Sequence, residues 1–84
     1  MMVVYEVFLT AGKSLVLSAE LVRETQAQVM TLDEARKVGF QGMPDPPAGR
    51  EVRLVAIGRS NAQWLQQALE ANPDVENFRV HDVD

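Results

Sequence analysis

The sequence predicts a single α+β domain spanning residues 1–84: an antiparallel β-meander followed by a strand–helix–strand unit, with one long helix packed on the sheet. Three observations carry that expectation. Residues Val3–Thr10 are rich in β-branched and aromatic side chains, which suit a pleated surface. From Ser14 the apolar positions Leu15, Leu17, Ala19 and Leu21 recur with the period of a strand. The stretch Gly49–Asp84 then reads as strand, helix and strand in turn, the helix marked by apolar residues at i, i+1, i+4 and i+5.

Taken in order, Val3–Thr10 forms the first strand, with Tyr5, Val7 and Leu9 on one face. Ala11-Gly12-Lys13 is a short turn, with glycine where a positive φ is needed. Ser14–Glu24 completes a hairpin with the first strand. Residues 19–38 admit more than one reading. The meander reading places a turn at Thr25-Gln26, a strand over Ala27–Leu32, a turn at Asp33–Ala35 and a strand over Arg36–Gln41. A rival reading makes Ala19–Val38 one helix, with Leu21, Val22, Val29, Leu32 and Ala35 on one arc and Gly39 as its C-terminal cap. A compromise is a short helix over Leu32–Val38, because Thr31 and Glu34 have the spacing of a capping box.

The loop 42–49 (GMPDPPAG) holds three of the four prolines and divides the meander from the strand–helix–strand unit. Arg50–Ile57 is the next strand, ending in the apolar run Leu54-Val55-Ala56-Ile57 of a strand buried on both faces. Ser60 stands as a helix N-cap with Gln63 three residues on. Trp64, Leu65, Ala68 and Leu69 form the apolar stripe of the helix Ser60–Ala71, with Trp64 at the centre of the core. Asn72-Pro73 stops that helix, the asparagine tolerating a left-handed conformation. Phe78–Val83 closes the chain as a strand.

Composition narrows the function classes. An apolar fraction of 46% with 24% charged residues is that of a folded globular chain. Cysteine is absent, which removes disulfides, thiolate metal sites and cysteine nucleophiles together. The N-terminus lacks a basic leader and carries Glu6 inside its apolar run, and no apolar stretch is long enough to cross a bilayer, so a cytoplasmic location is expected. The net charge of −4 is concentrated at the C-terminal end, where Glu70, Asp74, Glu76, Asp82 and Asp84 face Arg79 alone. That balance disfavours nucleic acid as a partner, since phosphate affinity comes mainly from Lys and Arg.

Candidate chemistry is sparse. Gly12-Lys13-Ser14 matches the end of a phosphate-binding loop, but Val7 stands where the first glycine of that motif belongs, so the hairpin turn is the better account. His81 with Asp82 and Asp84 offers metal-ligand or general-base chemistry, yet on a strand His81 points away from both carboxylates. Ser14, Ser18 and Ser60 have no base placed to activate them, and Ser60 is explained as a cap. Glu20 and Glu24 lie too far apart on one strand to work as a carboxylate pair. Arg53 and Arg79 share a phase with His81, and with Tyr5 or Phe8 they would form a small basic patch if their strands are neighbours; with Glu6 and Glu51 close by in sequence, ordinary cross-strand ion pairing is the plainer account.

Phe40, Met43, Pro44, Pro46 and Pro47 remain as a candidate protein-interaction site, because apolar side chains on a stiff exposed loop lose little entropy on binding. The expected function is a small non-enzymatic protein-interaction or regulatory module with no catalytic residues, cofactor or metal. The alternative is a small-molecule sensor with its site between the helix and the proline loop. One helix covers only two or three strands and would leave Val4, Phe8, Val16, Val22, Val55 and Ile57 on an uncovered face, so either the meander closes on itself as a small barrel or, as the favoured solution, two chains form a homodimer.

Overall fold

A computed structural model of the chain describes residues 1–39 and 51–82. Their order is β1 (Met2–Leu9), α1 (Ala19–Thr25), β2 (Gln28–Thr31), α2 (Leu32–Lys37), β3 (Glu51–Gly58), α3 (Ala62–Ala71) and β4 (Val75–Asp82), with one 3-10 turn, Arg59–Asn61, leading into α3. The class is the expected α+β, with a four-stranded antiparallel sheet in the order β2-β3-β1-β4. Because β1 and β2 both run antiparallel to β3, they are parallel to each other, and β3 separates them. By the same logic β1 separates β3 from β4. The chain is therefore two interlocked split β-α-β units, the β-α-β-β-α-β connectivity called ferredoxin-like, with α2 added between β2 and β3.

β1 takes the central place because it is apolar on both faces. Val3, Tyr5, Val7 and Leu9 point to one side, where Val55 and Ile57 of β3, Leu21 of α1 and Leu65 and Leu69 of α3 complete the larger core. Tyr5 anchors α3 to this layer: its ring lies 5.8 Å from that of Phe78, and its hydroxyl donates to the Ala62 carbonyl at 3.2 Å. On the other side Val4, Leu54, Ala56 and Ala35 of α2 form a second, smaller cluster, with Met30 and Leu32 packed against it.

Several elements differ from the sequence expectation, each for an identifiable reason. The segment 14–24 is no strand: its alternation brings Leu15 and Leu17 onto the larger core, but Ser18 then caps α1 by accepting from the Leu21 N–H at 3.1 Å. α1 stops early, with Gln26 in the left-handed conformation at φ 57, which rules out one helix through Val38. Of the strand expected at Arg36–Gln41, Arg36 and Lys37 belong to α2 and Phe40 and Gln41 lie outside the described residues; in α2 the capping box holds, Thr31 accepting from the Glu34 N–H while the Glu34 carboxylate accepts from the Thr31 N–H. Ser60 is no cap. It lies inside the 3-10 turn, and the residue before α3, Asn61, makes no side-chain capping bond. Asn72 ends α3 in an extended conformation, its side chain accepting from the Asp74 N–H at 2.9 Å.

Trp64 is not the core centre either; it is 40% exposed. Leu65 and Leu69, one turn apart, set the inward direction of α3, and Trp64 stands about 100° around the helix from Leu65. Of the residues expected on an uncovered face, Val4, Val55 and Ile57 are buried within the chain, while Val16 and Val22 are exposed. Three short helices on two faces cover what one helix could not.

Candidate functional site

The half of the second face that lies over β1 and β4 is where polar and aromatic side chains gather. Cross-strand register places Val4 opposite His81, Glu6 opposite Arg79, and Phe8 opposite Asn77. Glu6 is only 1% exposed, and its Oε1 lies 3.1 Å from Nε2 of His81, one pair further along the strands. An ionised carboxylate only accepts, so in the neutral imidazole this bond keeps the proton on Nε2 and leaves Nδ1 as the acceptor. The His81 side chain is 34% exposed, so that oriented ring borders solvent. Beside it the Arg79 guanidinium lies over the Phe8 ring, 5.3 Å from its centroid. The cation there is held by the quadrupole of an aromatic ring.

The edges of the sheet differ. β2 offers four residues, whereas β4 offers eight. Which backbone groups of β4 face outward follows from two bonds at the ends of β1. Met1 accepts from the Arg59 N–H on the β3 side at 3.0 Å, and Thr10 donates to Asp74 on the β4 side at 2.9 Å. Backbone groups alternate along an antiparallel strand, so the even residues of β1 bond to β4, through Asn77, Arg79 and His81. Phe78, Val80 and Asp82 then direct their N–H and C=O groups away from the sheet. A register shift at Phe8/Leu9 inserts Glu76 as a bulge near the start of the strand.

The candidates read from the sequence are distributed elsewhere. Phe40, Met43, Pro44, Pro46 and Pro47 lie outside the described residues. Gly12 has φ 80 and Lys13 donates to the Thr10 carbonyl at 3.0 Å, a tight turn that leads into an extended segment and not into a helix. His81 does point away from Asp82, which instead meets Arg59 at 2.6 Å. Arg53 and Arg79 do not form a patch. Arg53 stands opposite Val7 and Arg79 opposite Glu6, so they occupy opposite faces with β1 between their strands, and Arg53 pairs with Glu51. Glu20 and Glu24 are on α1 and not on a strand.

What sequence reasoning missed is the role of Glu6, which it placed near the arginines for ordinary ion pairing and not as the buried partner of His81. Its signal was present: a lone carboxylate inside a run that is apolar on both phases has to find a polar partner once the strand becomes central. That partner, seventy-five residues away, is not visible before the strands are paired. Among the described residues no group of three His, Asp or Glu side chains is placed to hold a metal ion, and no helix is long and apolar enough to cross a membrane.

Fold and site together define a small α+β protein whose face beneath α1 and α3 holds the larger core and whose opposite face, beside α2, carries an oriented imidazole and a ring-held cation. Comparison of the chain with protein-family models, with curated proteins and with solved structures gives no match.

Proposed function

We propose that this chain is a non-enzymatic interaction or regulatory module that works in the cytoplasm through contacts with another protein. The observation that carries this reading is the juxtaposition of the long β4 edge with the polar row Asn77, Arg79 and His81 on the same strand. Such an edge is suited to main-chain recognition, with alternate side chains supplying specificity. Nucleic acid is not the partner proposed, given the net charge of −4 and, among the described residues, a single aromatic, Phe8, on this half of the face.

A photo-crosslinking residue at the exposed position Asn77 tests the reading in the native host, beside a control at Glu70 on α3. A protein adduct specific to the Asn77 position is expected. A chain that gives no such adduct, and whose melting temperature rises with one metabolite in a thermal-shift screen, belongs to the sensor class instead. Self-association is the lesser form of the proposal, because Val4, Val55 and Ile57 are already buried within the chain. Light scattering at tens of micromolar decides it: the mass of one chain removes the homodimer.

A further inference from the structure

We propose that the outer edge of β4 receives an extended segment of another protein, antiparallel to β4, with an acidic side chain opposite Arg79. This deepens the interaction-module reading and rests on it. The backbone supplies the first argument. Phe78 and Val80 direct hydrogen-bonding groups away from the sheet on either side of Arg79, so Arg79 falls at a non-hydrogen-bonded position for an incoming strand. There opposed side chains approach most closely. Val80, on the other face of the strand, is 49% exposed, leaving apolar surface for the alternate residues of the same segment.

Charge supplies the second argument. Arg23, Arg53 and Arg59 each lie within 4 Å of a carboxylate, at Glu24, Glu51 and Asp82. Arg79 has Phe8 beneath it and, among the described residues, no carboxylate partner, because its cross-strand neighbour Glu6 is engaged by His81. The guanidinium rests on the Phe8 ring, and Arg79 is exposed on its strand, so a carboxylate brought opposite it meets a complementary charge.

A second copy of this chain does not meet that need. A two-fold axis that joins two β4 edges must pair outward residues with outward residues. In the three registers centred on Phe78, between Phe78 and Val80, or on Val80, the residue facing Arg79 is the second copy's Asn77, Arg79 or His81. None is acidic. The occupant is therefore a segment of different sequence.

The probe is a short synthetic peptide of alternating threonine and valine with a central glutamate, N-methylated on alternate residues so that it presents one edge, and its counterpart with a central lysine. Amide NMR titration of the protein should move the Phe78 and Val80 resonances. The glutamate peptide should bind about fivefold more tightly, the ratio expected of one opposed charge pair. Arg79→Gln should erase that preference with the melting temperature kept, and Val80→Pro, which removes one outward N–H, should weaken both peptides. Equal binding of the two peptides to the parent chain, or shifts confined to β2, overturns the inference. A native cross-linked partner whose capture is unchanged in Arg79→Gln and Val80→Pro overturns it too, while leaving the interaction-module reading standing.

Discussion

On the helix-covered face, Val3, Tyr5, Val7 and Leu9 of β1 meet Leu65 and Leu69 in a continuous apolar layer, whereas on the opposite face the same strand presents Val4, Glu6 and Phe8 to a six-residue helix and to a row of polar side chains. Both faces bury β1, but they do so with different interactions. The first depends on area removed from water, which is tolerant of direction and accounts for most of the stability. The second depends on a few directional contacts, Glu6 to His81 and Arg79 to Phe8, each of which needs its partner in place. A chain this small cannot cover every face with apolar side chains, so its specific polar chemistry collects where the helices are shortest.

The comparison can be broken most severely from the apolar side. Leu65→Ala should cost about 2–5 kcal/mol, since the leucine is fully buried beside Leu69 in the larger core. Urea denaturation measures it, and a loss below that of a surface substitution would mean that α3 is not the main source of burial. On the polar face, His81→Ala should cost about 1–3 kcal/mol, because Glu6 is left in the interior without the hydrogen bond that satisfies it. Combining that change with Glu6→Leu should recover most of the loss. A double-mutant cycle with no coupling energy would show that the pair is incidental.

Smaller effects sharpen the contrast. Ser18→Ala and Thr31→Ala should each cost about 1 kcal/mol, the usual worth of a helix cap, on α1 and α2 respectively. Trp64→Ala should cost less than either core change, and Trp64 fluorescence should be red-shifted and open to quenching by iodide; a blue-shifted, protected emission would contradict its exposure. The smallest effect concerns pH. The Thr31 backbone N–H, helped by the Thr31 side chain and by Lys37 nearby, holds the Glu34 carboxyl below the usual carboxylate range. A depressed folded value means that the contribution is present at neutral pH and is lost as pH falls through it. Glu34→Gln, which removes the titrating carboxyl, should flatten that acid limb of the stability curve, as read by thermal melts between neutral and acidic pH.

Legibility followed the range of the forces involved. The α2 capping box, the Gly12 turn and the stop at Asn72-Pro73 were readable because each closes within a few residues, through local hydrogen bonds and backbone preferences. β1 and β3 were readable from apolar runs too long and too branched for a surface loop. The segment 14–24 misled because a loop laid along a core alternates its apolar residues as a strand does, and only the Ser18 cap distinguishes the two. Trp64 misled because hydrophobicity alone does not say which arc of a helix faces inward. Of the site, Arg79, His81, Phe8 and Glu6 were singled out from sequence, but with the wrong companion in Arg53 and without the pairing of Glu6 to His81.

The sequence by itself determined the α+β class, the doubly buried strand β3 and the α2 capping box, because backbone propensity, side-chain period and capping geometry act between near neighbours along the chain. Tertiary structure alone decided that β1 enters between β3 and β4, and with it every feature of the candidate site. That insertion separates Arg53 from Arg79, brings His81 to Glu6 and turns the outward backbone groups of Phe78 and Val80 to the sheet edge. The physical reason is that strand pairing satisfies backbone hydrogen bonds equally well in many orders. The order adopted is set by which strand has two faces to bury, and that is a property of the whole sheet.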